Sequence, residues 1–388
     1  MNFYCDYNAT FPLADAVKNH FAKGIFLANS SSQHSAGKKT AYLLKECEEF
    51  FYSFFKIDPE QFHLVFHSGA TEGANHFFHL CRSQPVDSTC VMYSPIDHSC
   101  FRSPGSVMEN EGRAVVKLDI HKSGFVDLEK LEEKLKSLSA QGKKIYINTT
   151  WVHNELGIIE DLNQWALLKK KYNFLWHIDG TQSIFKIPNY QNLIDGPDMW
   201  TFSGHKFGSL MGVGWSFIKK ESFTSFMRPF VVGGEQQHGL RAGTVNMEGI
   251  LSMKWAIEDL HPKFNFQVCM QRLLKIKSAL DDVFENGKRG TIFFSDADKQ
   301  ACNTLSLAIK NITSDVSLPA FDLAGIQLGT GAACASGGIK PQVTLNHLGH
   351  RALANQYLRF SMNPFIQQDE VDHIISKMLT VINKFFTE

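Results

Sequence analysis

The chain has 388 residues, 44% of them hydrophobic and 20% charged, which excludes disorder, collagen and coiled coil as global descriptions. At about 150 residues per domain, the length suggests two or three domains, or one large α/β domain with an appendage. Basic and acidic residues balance at 39 each, so neither nucleic acid nor an anionic membrane is expected as the main partner.

No apolar run approaches the ~20 residues that cross a bilayer. The opening segment, Met1-Asn2-Phe3-Tyr4-Cys5-Asp6, lacks the basic and apolar regions of a secretory signal. The expected compartment is the cytoplasm. The 8 cysteines, at 5, 47, 81, 90, 100, 269, 302 and 334, form no C-x2-C pair, so a structural zinc site is not expected. Each Cys reads by default as a small buried hydrophobe. The 32 Phe residues are read mostly as core.

Short apolar runs alternate with amphipathic stretches, an α/β signature. Residues 63–66 read as a strand, 72–81 as a helix and 89–93 as a second strand. Leu128, Leu131, Leu135 and Leu138 recur at helical spacing and predict a helix. Strands follow at 144–148, 174–178, 199–202 and 213–218, with a helix at 165–171 between the first two. After about residue 250 the texture changes. A long helix over 270–284 leads to strands near 291–294 and 303–309, and an amphipathic helix over 370–386 closes the chain. The pattern predicts a large, mostly parallel-sheet domain followed by a smaller α+β domain.

In open α/β sheets, ligands sit beyond the carboxyl ends of the strands, and four such ends carry unusual residues. Ser68-Gly69-Ala70-Thr71 joins a strand to a helix and suits a phosphate, although such a turn by itself is more often an ordinary helix cap. Asp179 ends an apolar strand, where an acid calls for a cation or serves as a cap. Lys206, in Ser203-Gly204-His205-Lys206, is either a Schiff-base lysine or a solvated one. His98, after Asp97, stacks on a ring or is structural. A phosphate cup, a reactive Lys and an acid for a pyridine nitrogen are together what pyridoxal phosphate needs.

The sequence resembles, almost end to end, the cysteine desulfurases of the class V aminotransferase group. Asp6-Tyr7-Asn8-Ala9-Thr10 is similar to the family's D-x-N-A-T. Asn29-Ser30-Ser31-Ser32-Gln33-His34-Ser35-Ala36-Gly37 is similar to its N-P-S-S-x-H-x-x-G, with Ser30 for Pro. Ser68-Gly69-Ala70-Thr71-Glu72 matches S-G-A-T-E, Asn154-Glu155-Leu156-Gly157 resembles N-E-x-G, and His177-Ile178-Asp179-Gly180-Thr181-Gln182 resembles H-x-D-x-x-Q. Gly239-Leu240-Arg241-Ala242-Gly243-Thr244 resembles G-x-R-S-G-T. Ala333-Cys334-Ala335-Ser336 resembles A-C-x-S, and Arg359-Phe360-Ser361 resembles R-F-S.

The resemblance implies a fold-type I pyridoxal-5'-phosphate-dependent transferase. It would have a large, mostly parallel seven-stranded sheet domain over 14–254, and a smaller α+β domain from 1–13 and 255–388 that carries the Cys334 loop. It implies Lys206 as the cofactor-bearing lysine and base at Cα, with Ala70, Thr71, Ser203 and His205 on the phosphate. His98 would lie on the ring and shuttle protons. Asn154 and Gln182 would face the ring hydroxyl, and Asp179 the pyridine nitrogen. Thr244 would reach the phosphate of a partner subunit in a homodimer. Arg359, with Asn154, would bind the carboxylate of L-cysteine, and Cys334 would take the sulfur as a persulfide. The spacing from Cys334 to Arg359 leaves room for the long mobile loop of the housekeeping branch. That branch delivers sulfur to an acceptor such as an iron–sulfur scaffold or a sulfur-carrier protein. The chain departs from the family at Ser209-Leu210-Met211, His238, His153 and Gly329-Thr330-Gly331-Ala332. A selenocysteine lyase would use the same residues. A class V aminotransferase would not need Cys334, and a non-catalytic scaffold would need neither Cys334 nor the cofactor residues.

Overall fold

A computed structural model describes residues 2–24, 26–223, 229–294, 296–331 and 342–387. Strand β1 (Phe3–Cys5) and helices α1 (Asp15–Ala22) and α2 (Ser35–Phe55) come first. A β/α alternation follows: β2 (Phe62–His67), α3 (Ala70–Arg82), β3 (Thr89–Tyr93), α4 (Ser99–Asn110), β4 (Ala114–Lys117), α5 (Leu128–Ala140), β5 (Lys144–Thr150), α6 (Leu162–Lys171), β6 (Phe174–Asp179), β7 (Met199–Ser203), β8 (Gly214–Lys219) and α7 (Lys220–Phe223). Helices α8 (Met247–Leu260) and α9 (Phe266–Val283) lead to β9 (Gly290–Phe293), β10 (Thr304–Ile309), α10 (Ser314–Leu323), β11 (Ile326–Leu328), α11 (Val343–His347), β12 (Tyr357–Ser361) and α12 (Gln368–Lys384). Among the described residues, no helix is long and apolar enough to cross a membrane.

Seven strands form one sheet in the order β2-β8-β7-β6-β5-β3-β4, the mostly parallel sheet that the resemblance implied. Strand β8 runs antiparallel to both neighbours, and the remaining pairs are parallel. The other six strands therefore point one way. The segments that follow β2, β3, β5, β6 and β7 meet at one edge, where such sheets hold ligands. Strand β4 has no counterpart in the sequence reading. It is a short edge strand, exposed at both ends, and its pattern lacks the buried alternation that marks an interior strand.

Aromatic packing holds the helices to this sheet. Helix α2 buries Cys47, Phe51 and Phe55, four residues apart, so one stripe faces the strands. Phe51 meets Trp215 of β8 at 4.7 Å between ring centroids, and Trp215 stacks on Phe202 of β7 at 4.7 Å. Each fully buried Phe contributes roughly 2–3 kcal/mol of transfer free energy. The seven described cysteines are all buried thiols.

A second apolar cluster joins Phe3 and Cys5 to α9, β10, β12 and α12. Its strands form the antiparallel sheet β12-β10-β9 and the parallel pair β1-β11. The chain's first residues thus pair with its last third, with Phe3 opposite Ile326 and a bridge from Asp6 to Ser361. This pairing carries residues 6–10 past the edge of the large sheet and sets Arg359 of β12 against it.

Candidate active site

The strand ends enclose a cavity of about 400 Å³, within the usual range for small-molecule sites. Ala70, Thr71, His98, Asn154, Asp179, Gln182, Ser203, His205, Lys206 and Arg359 all line it. Thr244 is exposed and is not among the lining residues of this chain. Cys334 lies outside the described residues, whose nearest flanks are Gly331 and Gln342.

One end of the cavity is built for an anion. Helix α3 begins at Ala70, so the N–H groups of Ala70 and Thr71 have no intrahelical acceptor. Gly69 precedes it at φ +142°, where a side chain is strained, and an added Cβ would stand 3.4 Å from Ser203 Oγ. The Glu72 carboxylate, on the same turn, is turned to Arg241 Nε (2.9 Å) and the Ser68 N–H (2.8 Å). Burial alone would raise Glu72, but these hydrogen bonds outweigh it and hold its pKa at about 2. His205 is pushed down to about 3, chiefly by burial and then by the charge of Lys206. A neutral imidazole there meets Thr10 Oγ1 at 3.3 Å.

Asp179 ends β6, buried, and its Oδ1 accepts from the Thr181 N–H at 3.0 Å. Below it, His177 is wedged between Asn148 Oδ1 (2.7 Å) and Thr201 Oγ1 (2.8 Å) and supports the strand rather than the cavity. His98 caps α4, with Nδ1 accepting the Cys100 N–H at 3.2 Å. The proton of its neutral ring is therefore on Nε2. Burial lowers the basicity of His98, while Asp179 works against that shift.

Lys206 Nζ donates to the carbonyl oxygens of Asn8 (2.9 Å) and Ala9 (2.8 Å). Asn8 is buried and also binds Thr304 Oγ1 (2.8 Å) and the Asn154 carbonyl (3.1 Å) through Nδ2. Arg359 is buried, with Nη2 on Asp6 Oδ1 at 2.7 Å and Nη1 on the Asn154 carbonyl at 3.3 Å.

No role is predicted from sequence for Asn8, Ala9, Asp6, Cys100, Thr181 or Met211, although the first three lie in the D-x-N-A-T motif and Cys100 stands two residues from His98. Of the departures, Ser209 is buried on Ser252 Oγ (2.7 Å), while Met211 is exposed at the cavity rim. His153 replaces an Asn but is structural, with Nε2 on the Ile96 carbonyl at 2.8 Å.

These residues fit pyridoxal phosphate. The helix start and Ser203 suit the phosphate, the Lys206 amine suits the aldehyde, and Asp179 suits a protonated ring nitrogen. Two buried polar atoms of the lining, Thr181 Oγ1 and Arg359 Nε, have no partner among the described residues, as donors waiting for a polar ligand would.

Comparison with known proteins points the same way. The sequence pattern of the family described as aminotransferase class-V matches residues 3–374. The chain is 27% identical to cysteine desulfurase IscS of Dictyoglomus turgidum, over 99% of this chain and 95% of that one. It is 26% identical to cysteine desulfurase 2 of Trichormus variabilis, over 98% and 93%. Among solved structures, a NifS-like protein superposes with a TM-score of 0.85 at 25% identity, covering 99% of this chain and all of that one.

Proposed function

The chain belongs to the aminotransferase class-V family, and within it we propose a cysteine desulfurase that converts L-cysteine to L-alanine and takes the sulfur onto Cys334. Its cofactor is pyridoxal 5'-phosphate. The observation that carries the reading is the convergence of Lys206, Asp179, His98 and Arg359 on one cavity. When bound, the cofactor supplies a protonated pyridine ring as a sink for the electron pair released at the substrate Cα.

The chain's own residues supply the rest. The Asp179 carboxylate holds the proton on the ring nitrogen. Arg359 binds the substrate carboxylate, and its Asp6 partner fixes the plane of the guanidinium. Lys206 Nζ, positioned by two backbone carbonyls, removes the Cα proton. The Cys334 thiolate then attacks the substrate sulfur. An S–S bond forms, the substrate C–S bond breaks, and the freed carbon skeleton gains protons to become alanine. Cysteine and the enzyme thiol thus become alanine and an enzyme persulfide, with no external oxidant.

We also propose a homodimer in which Thr244 serves the neighbouring subunit. Its exposure, outside its own cavity, supports this reading. The spacing from Cys334 to Arg359 supports the housekeeping branch, with delivery of sulfur to an iron–sulfur scaffold or a sulfur-carrier protein. The unpaired state of the seven described thiols suits a reducing compartment, and we place the protein in the cytoplasm on that ground.

The test is incubation of holoenzyme with cysteine and a thiol reductant. Alanine and sulfide should form in equal amounts, and Cys334→Ala should keep the cofactor but release sulfide only at background rate. Glutamate-dependent amino transfer without sulfide would mark an aminotransferase. Turnover of selenocysteine alone would mark a lyase.

A further inference from the structure

Lys186 is a lysine buried at 1% exposure, in the turn that follows β6. Its Nζ donates to Gln182 Oε1, and among the described residues it has no ion-pair partner. A buried amine without a carboxylate is costly, and the proposed chemistry so far makes no use of it. The titratable groups that face it are Lys206, Arg359 of β12, Cys302 before β10, and His205. Burial, then the charges of Lys206 and Arg359, push its pKa well below the usual lysine range.

The amide it touches lines the cavity. Gln182 Nε2 donates to the Asn8 carbonyl at 2.9 Å, and the same oxygen accepts from Lys206 Nζ. A carbonyl only accepts, so the Asn8 contact fixes Nε2 on its side and leaves Oε1 toward Lys186. Oε1 is held on Lys186, and Nε2 is held on the side of Asn8 and Lys206. Without Lys186, Oε1 loses its donor and the Asn8 carbonyl alone restrains the amide.

We propose that Lys186 is a positioning residue that holds the Gln182 amide with its Nε2 donor toward the cofactor ring hydroxyl and so sets the ionisation of the bound cofactor. This rests on the pyridoxal phosphate reading of the cavity. A donor on the ring oxygen stabilises its anion, so losing the donor makes the cofactor adduct hold its proton to higher pH.

The test uses the holoenzyme of the parent, of Lys186→Met and of Lys186→Gln. The readouts are a pH titration of the visible cofactor band and a melting curve. Met matches the length of the side chain and removes the donor, whereas Gln keeps a donor without charge. Lys186→Met leaves Gln182 Oε1 without its donor, so its melting temperature should fall by no more than about a few degrees. Its titration midpoint should rise by about one pH unit, the size expected for one lost hydrogen bond to a charged oxygen. Lys186→Gln should hold the parental midpoint. A Lys186→Met midpoint equal to that of the parent overturns the proposal. So does a large drop in melting temperature in both variants, which would make the residue structural. If the parent itself shows no visible band with pyridoxal phosphate, the cofactor reading fails instead.

Discussion

Asp179 reaches the cavity because β6 is buried through its last four residues, and the strand delivers the carboxylate to the sheet edge already desolvated. The Thr181 N–H holds one oxygen, which leaves the other free to hold a proton on a ring nitrogen. Asp179→Asn keeps the shape and removes the charge. It should retain the fold and bind cofactor, while turnover falls about a hundredfold or more, the scale of losing one preorganised charge at a reacting centre. Steady-state alanine formation checks this, and near-parental rates would remove Asp179 from the mechanism. Lys206, Asp179, His98 and Arg359 were legible in the sequence because each is a polar residue at the end of an apolar strand or sits in a quoted motif. The carbonyls of Asn8 and Ala9 were not, since a backbone acceptor has no side-chain signature. Cys100 was not either, because a lone cysteine reads first as a small hydrophobe.

The start of helix α3 concentrates the electrostatics of the phosphate end. Glu72 would place a negative charge beside the anion site, but Arg241 and the Ser68 N–H engage it. Because its folded pKa is depressed, Glu72 contributes stability that is present above the ordinary carboxylate range and is lost as the pH falls from about 4.5 toward 2. Glu72→Gln should cost about 1–2 kcal/mol at pH 7, discounted for its partial exposure. The deficit should vanish in the acid limb, and urea midpoints measured across pH read it directly. A constant deficit down to the lowest pH would contradict the assignment. Among the elements, α5 carries helical periodicity and β5 and β6 are short buried runs, and these were legible. Helix α4 was not, because Pro104-Gly105 reads as a turn. The helix runs through that pair, and Gly105 is what lets it lie on β3. A Cβ at Gly105 would stand 2.2 Å from the Tyr93 ring.

At the scale of the whole molecule, Asn8 ties three regions together. It bonds Thr304 and Asn303 near the small antiparallel sheet, the Asn154 carbonyl at the large sheet's edge, and Lys206 through its own carbonyl. Asn8, Ala9 and Thr10 therefore form one wall of the cavity, which long-range pairing of β1 with β11 makes possible and local sequence patterns do not reveal. Thr244 is exposed and outside its own cavity, and in the proposed homodimer it would complete the phosphate site of the second copy. Light scattering of fully active holoenzyme should give a mass near twice 43.8 kDa, and an active species at 43.8 kDa would contradict the shared site.

The central claim is that sulfur leaves the substrate for Cys334. Mass spectrometry of the holoenzyme, digested after a single turnover with cysteine and no added thiol, tests it most directly. The account predicts one extra sulfur atom on the peptide bearing Cys334, in equal amount to the alanine formed. Alanine without added sulfur, or added sulfur on the peptide of Cys100, the described thiol that lines the cavity, would contradict it.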